Sequence, residues 1–115
     1  MKVSEIRELL DAEFACGEQY ADREVHSACG SDMMSDVLAY VKDQAVLLTG
    51  LVNPQVIRTA DMMDMKCIVL VRGKKPSEDM IRLADEYEIA MMTTRWEMFT
   101  SCGILYGRGL RGRQG

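Results

Sequence analysis

Apolar and polar positions fall into a regular order along the second half of the chain. Three apolar runs occur: Ala45-Val46-Leu47-Leu48-Thr49-Gly50, Cys67-Ile68-Val69-Leu70-Val71-Arg72-Gly73 and Ile89-Ala90-Met91-Met92-Thr93-Thr94. They recur about every twenty residues, the interval of minimal strand–helix units. Each run is apolar at successive positions rather than alternate ones, which predicts parallel strands covered by helices on both faces. A helix signal follows each run. Asn53-Pro54 supplies a cap residue with proline at the first helical position, and Val56, Ile57, Ala60 and Met63 then form a stripe, with Arg58, Asp61 and Asp64 toward water. Pro76 is read as opening the next helix, with Glu78 and Asp79 in its first turn, where the helix dipole favours acids, and Met80, Ile81, Ala84 and Tyr87 on its apolar side. Thr94 and Glu97 are read as a capping box for a last helix with Met98, Phe99, Cys102 and Leu105 as its apolar face and Trp96 near its start.

The first half is less regular. Ser4 is a candidate cap for a helix carrying Ile6, Leu9 and Leu10 on one face and ending near Asp11 to Glu13. A short strand is expected at Glu13–Cys16, a turn at Gly17-Glu18, a polar loop over Tyr20–Arg23, and a second short strand over Val25–Cys29 closed by Gly30. Ser31 or Asp32 would cap a further helix with Met34, Val37, Leu38 and Val41 on its buried face, ended by Lys42-Asp43-Gln44. These elements predict one α/β domain with a mostly parallel central sheet and helices on both faces, the second half threaded by right-handed crossovers.

Composition refines this picture in three ways. At 115 residues the chain suits a single domain that needs no disulfide or metal staple. With ten Met and only 6% aromatic residues, its core is expected to be aliphatic, Met-filled and adaptable. Net charge is −4, but Arg108, Arg111 and Arg113 stand after Gly107 without an acid; without them 11 basic residues face 18 acids, so the body carries −7. An acidic body argues against a nucleic-acid-binding surface. Residues 1–106 are expected to form the domain and 107–115 a flexible basic tail, with a solvated end as the plainest reading of the latter. Cys16, Cys29, Cys67 and Cys102 form no C-x-x-C pair and His26 is the sole histidine, so zinc or iron–sulfur spacing is missing and neither a metal nor a cofactor is expected. No apolar segment has the length of a signal peptide or membrane span, and a reducing cytoplasm is the expected compartment.

Candidate chemistry gathers at the carboxyl ends of the predicted parallel strands, where ligands of open α/β sheets collect. Gly50 and Gly73 would let a ligand approach the backbone, Asn53 starts a helix whose amides are free, and Arg72, Lys74 and Lys75 supply positive charge. With Thr93 and Thr94 these residues form a candidate site for an adenine nucleotide or another phosphate-bearing metabolite. The same Gly, Pro and cap residues also serve strand-to-helix turns through geometry alone, and no P-loop or G-x-G-x-x-G accompanies them. Catalytic constellations are missing: His26 beside Glu24 reads as a surface loop, Asp22-Arg23-Glu24 as solvated charge, and Cys29 or Cys102 would need a lowered pKa to act.

The order Cys16-Gly17-Glu18, Asp22-Arg23-Glu24-Val25, an apolar strand ending Thr49-Gly50, Arg72-Gly73-Lys74-Lys75-Pro76-Ser77-Glu78, Ile89 to Thr94 and Trp96-Glu97-Met98-Phe99 resembles the DRTGG domain family from about Lys2 to Tyr106. The resemblance implies a compact α/β sandwich similar to the N-terminal domain of HPr kinase. It further implies a regulatory, non-catalytic role, a homodimer, and a larger redox (hydrogenase-type) or signalling protein as partner. Where family members carry a Gly-Asp-Arg pattern after the first central strand, this chain has Gly50 followed by Leu51 and Val52; the Thr-Gly-Gly turn of the next strand appears as Val71-Arg72-Gly73. Leu51 and Val52 are therefore expected as a partner contact.

Overall fold

The computed structural model describes residues 1–39 and 44–114. The elements are α1 (Val3–Leu9), β1 (Glu13–Cys16), a single 3-10 turn (Glu18–Tyr20), β2 (Ser27–Gly30), α2 (Met34–Leu38), β3 (Ala45–Thr49), α3 (Pro54–Met62), β4 (Cys67–Leu70), α4 (Glu78–Glu86), β5 (Ala90–Thr93) and α5 (Met98–Gly107). The five strands form one sheet in the order β1-β5-β4-β3-β2. β2 through β5 are parallel, and β1 closes the far edge antiparallel to β5. The predicted mostly parallel α/β domain is therefore what the chain forms.

The apolar runs explain the layering. Successive strand residues point to opposite faces, so Val46, Leu48, Val69 and Met92 meet α1 and α5 through Ile6, Leu10 and Leu105. Leu47, Ile68, Leu70 and Met91 meet α2, α3 and α4 through Val37, Val56, Ile57, Met80 and Ala84. The three connecting helices thus share one face and the two terminal helices the other. Every residue of β3 and of β4 is buried, as strands covered on both sides must be.

Several local expectations change. α1 begins two residues earlier than a Ser4 cap would place it: Lys2 is its N-cap residue, and the Lys2 amide donates to the Glu5 carboxylate (2.9 Å). Asn53 does cap α3, its Oδ1 accepting from the Gln55 amide at 2.8 Å with Pro54 following. The α4 cap is Ser77 rather than the turn at Pro76, and its hydroxyl accepts from the Met80 amide. α5 starts after Glu97, which makes no side-chain cap bond, and Thr94 points inward instead of capping. Its buried residues are Ser101 and Leu105, whereas Phe99 is 89% exposed, because Phe99 stands about 100° around the helix from Met98. α2 has Met33 as its N-cap residue and no side-chain cap, so neither Ser31 nor Asp32 fills that role. Val41, Lys42 and Asp43 lie outside the described residues.

Two segments expected to be solvated make defined contacts. The Arg23 guanidinium donates to the Lys66 and Glu88 carbonyls (3.2 and 2.8 Å) and lies over the Tyr20 ring at 4.2 Å, tying the 3-10 turn to the amino ends of β4 and β5. Beyond Gly107, Leu110 is buried among the residues under α1 and α5, and the Arg111 carbonyl accepts from the Ala28 amide (2.9 Å) at the free edge of β2. Arg113 donates to the Ala39 carbonyl at 2.9 Å.

Candidate functional site

The register of the sheet brings the strand ends together. Thr49 of β3 stands beside Leu70 of β4, which stands beside Thr93 of β5, and Gly30 of β2 pairs with Leu48. The loops leaving β2, β3, β4 and β5 therefore emerge along one edge of the sheet. Strand order runs in a single direction from β2 to β5, so this edge lacks the point of reversed winding that forms the usual ligand crevice of doubly wound sheets. The candidate site is an open surface.

The β4 end is the most unusual piece of backbone there. Arg72 and Gly73 both have positive φ (61° and 69°), and the Lys74 amide donates back to the Val71 carbonyl (3.3 Å), so the segment has the dihedral signs of a type I′ turn. Gly73 takes this conformation freely; Arg72 does not, and a long side chain held at positive φ marks stored strain. The turn is pinned from β5, because the Arg72 amide donates to the Trp96 carbonyl (2.8 Å) and the Gly73 amide to the Thr94 carbonyl (2.9 Å).

The Arg72 side chain then turns back over β3. A Cβ on Gly50 would collide with the Arg72 guanidinium, so the space a side chain would fill is taken by that group. The guanidinium is held by Asp32. Asp32 Oδ2 accepts from Arg72 Nη2 at 3.2 Å, while Oδ1 accepts from the Gly50 amide at 2.6 Å and from the Thr49 hydroxyl at 3.2 Å. The Gly50 amide, helped by the guanidinium and the hydroxyl against partial desolvation, holds the Asp32 carboxyl below its ordinary pKa. Asp32 thus links β2, β3 and β4 across the edge. Sequence reasoning placed it as a helix cap; its partners lie 17, 18 and 40 residues away, and no local spacing points to them.

The predicted site residues do not all come together. Gly50 and Arg72 come together at Asp32, and Gly73 follows Arg72 in the turn. Thr94 is buried in the framework below: its hydroxyl donates to the Leu10 carbonyl (2.7 Å) and accepts from the Trp96 amide (3.3 Å). Asn53 spends its carbonyl on the α3 cap, and Thr93 is a half-buried strand residue between Leu70 and Glu13. Lys74 and Lys75 are exposed in the turn after β4. Leu51 is half-buried and packs against the residues under α3 and α4, and Val52 is 40% exposed beside it.

Clefts lie elsewhere. One of about 670 Å³ follows the free edge of β2, lined by Cys29, Gly30, Asp36, Tyr106 and Arg113; another of about 280 Å³ sits at the amino ends of the strands, between Arg23, Glu24, Gln44, Asp64 and Lys66. Neither includes Gly50, Arg72 or Gly73, and the groups lining them already serve packing contacts: Arg113 holds Ala39, and Arg23 and Lys66 hold backbone carbonyls. Burial pushes the Cys16 thiol up to about 11 and that of Cys67 up to about 12, and raises Cys29 and Cys102 as well, which is the opposite of what a nucleophilic thiol requires. Among the described residues no group of three His, Cys, Asp or Glu side chains could hold a metal ion, and no helix is long and apolar enough to cross a membrane.

The model of the DRTGG domain family matches residues 5–106. Among solved structures, the chain is similar to the CBS and DRTGG domains of the regulatory region of the Clostridium perfringens pyrophosphatase, a crystal structure in complex with its activator diadenosine tetraphosphate. The similarity has a TM-score of 0.71 at 16% sequence identity, covers 90% of this chain and 45% of that one, and is a likeness of fold. The chain thus spans less than half of that structure. No curated protein sequence matches it.

Proposed function

The chain belongs to the DRTGG domain family, and on that premise we propose that it is a regulatory module without catalysis of its own, which senses a phosphate-bearing ligand, an adenine nucleotide, at the carboxyl ends of β3 and β4. One observation carries the reading. An amide (Gly50), a hydroxyl (Thr49) and a guanidinium (Arg72) converge on a single anionic group, with Lys74 and Lys75 exposed in the same turn. Such donor sets suit phosphate oxygens, and Arg adds a planar, permanently charged fork. Trp96, whose carbonyl accepts from the Arg72 amide, is 36% exposed and is the aromatic residue next to this turn, with the Arg95 guanidinium over its ring at 4.7 Å. That the structurally similar regulatory region binds diadenosine tetraphosphate supports an adenine nucleotide as the ligand class. Thermal shift with ADP, diadenosine tetraphosphate and pyrophosphate tests it. A ligand at 100 times its Kd stabilises by about 2.7 kcal/mol, and Arg72→Gln should abolish the shift. No shift with any of the three contradicts the reading.

A second reading, contact with protein, is favoured by α5. Residues 98–107 carry no charge, and Phe99 and Tyr106 are 89% and 54% exposed. A helix apolar on all sides ordinarily has both faces covered. The occupant proposed is a second copy of the chain, with a larger redox or signalling protein as the further partner and Leu51-Val52 as a second contact. Sedimentation of Phe99→Glu decides the first part: a dimer that becomes monomeric supports it, and a wild-type monomer at micromolar concentration refutes it.

A further inference from the structure

Asp32 is placed against its own local interest. It stands where it could cap α2, yet α2 has no side-chain cap and the carboxylate crosses the sheet edge to β3 and β4. There its two oxygens accept from three donors of different kinds: the Gly50 amide at 2.6 Å, the Thr49 hydroxyl at 3.2 Å and Arg72 Nη2 at 3.2 Å. These are the donors the proposed function assigns to an incoming phosphate. A carboxylate and a phosphate present the same anionic oxygens, so both cannot use the set at once.

We propose that Asp32 is a built-in occupant of the anion site, and that a phosphate-bearing ligand binds by displacing its carboxylate from Gly50, Thr49 and Arg72, releasing α2 from the sheet edge. The inference rests on the reading of this edge as an anion site and deepens it by naming the resident competitor. Access is open, since the Asp32 and Arg72 side chains are 45% and 39% exposed. The element to be moved is lightly held: α2 has five residues, of which only Val37 is buried, and Met33 and Leu38 at its ends are 61% and 45% exposed. A phosphate brings more charge than a carboxylate and can also reach Lys74 or Lys75, which Asp32 does not contact. The competition lowers the apparent affinity of the wild-type chain by the fraction of molecules with Asp32 displaced. It also gives the ligand a mechanical output, because the released segment is tied through Asp32 to Thr49 and Gly50, at the start of the loop that carries the exposed Val52.

Calorimetric titration with pyrophosphate and with ADP, on wild type, Asp32→Asn and Arg72→Gln, tests this. Asn keeps the size of Asp but loses the charge that pairs with Arg72. Asp32→Asn should bind each probe at least about tenfold more tightly than wild type, a difference of about 1.4 kcal/mol, and Arg72→Gln should bind neither. Hydrogen exchange on the wild type should become faster over residues 31–38 when pyrophosphate is added. If wild type binds but Asp32→Asn binds no better, or if exchange over 31–38 is unchanged or slower, the competitor role is overturned while the anion site stands. If neither wild type nor Asp32→Asn binds either probe, both fall. Should circular dichroism show Asp32→Asn to be misfolded, the exchange result on wild type decides alone.

Discussion

Replacing Thr94 by Val separates a framework residue from a ligand residue. Thr94 is 2% exposed, and its hydroxyl donates to the Leu10 carbonyl at 2.7 Å while accepting from the Trp96 amide at 3.3 Å. Val has the same shape, so no cavity or clash forms; what changes is that a buried carbonyl loses its donor and an amide its acceptor. Leaving such groups unpaired costs about 1–3 kcal/mol. Unfolding entropy is about 2.1 cal/mol/K per residue, hence about 0.24 kcal/mol/K for 115 residues, so the expected fall in Tm is about 4–12 °C. The bond joins the end of α1 to the loop that pins the Arg72 turn, so the loss should appear as global destabilisation in urea and thermal melts. Thr93→Val, at a half-buried strand position, serves as control and should change stability by less than about 0.5 kcal/mol. A Thr94→Val protein of unchanged Tm that had lost nucleotide binding would refute the structural role and restore the expectation that Thr94 touches the ligand.

Gly50→Ala should expel the Arg72 guanidinium but leave stability within about 1 kcal/mol of wild type, since the ion pair is exposed and a Gly→Ala change gains about 0.4–1 kcal/mol through the unfolded chain; urea unfolding measures this, and a larger loss would show that Gly50 is packed against more than a movable side chain. In the same variant the Asp32 carboxyl, deprived of Arg72, should titrate at higher pH than in wild type by carbon-detected NMR, because one of the groups lowering its pKa is removed; an unchanged value would mean that Arg72 contributes nothing and the Gly50 amide and Thr49 hydroxyl set it. Arg23→Ala should destabilise by about 1–2 kcal/mol, because two backbone carbonyls lose a charged donor, and Arg23→Lys should recover only part, lacking the planar fork over Tyr20. Cys67 has its pKa raised from 9.0 to about 12, so the folded state holds its proton longer than the unfolded state; this contribution to stability is complete below pH 9.0 and is lost as pH rises toward 12. Its alkylation at neutral pH should accordingly follow global unfolding, and labelling in the native state faster than unfolding would contradict its burial.

The parallel strands and the α3 cap were legible because each depends on a few neighbouring residues. Continuous apolar runs announce doubly covered strands, and Asn53-Pro54 announces a helix start wherever it stands. Helix faces were legible only where geometry took precedence over residue type. From Met98, a helical period selects Ser101, Cys102 and Leu105; choosing Phe99 because it is apolar gave the wrong face, and Ser101 is the residue that lies buried. The candidate site was half legible. Gly50, Arg72 and Gly73 stand at strand ends, where parallel sheets bring loops together, and the register does join them. Asp32 was not legible as their partner, since its contacts depend on β2 lying next to β3 and on the backward turn of Arg72, both long-range outcomes. The same turn explains why Gly50 serves Arg72 before it can serve a ligand. Asn53 and Thr94 looked available because their side chains are polar, yet Asn53 is consumed by the nearby Gln55 amide and Thr94 by the distant Leu10 carbonyl.

On the proposed function, an anionic nucleotide meets the chain at the edge formed by Asp32, Gly50, Arg72 and Gly73. Nitrogen–proton correlation spectra recorded during titration with ADP test it most directly. Saturable shifts should be largest at the amides of Gly50, Arg72 and Gly73 and over residues 31–38, and should disappear in Arg72→Gln. Shifts confined to the β2-edge cleft around Cys29 and Tyr106, or no shift at millimolar ADP, would contradict it.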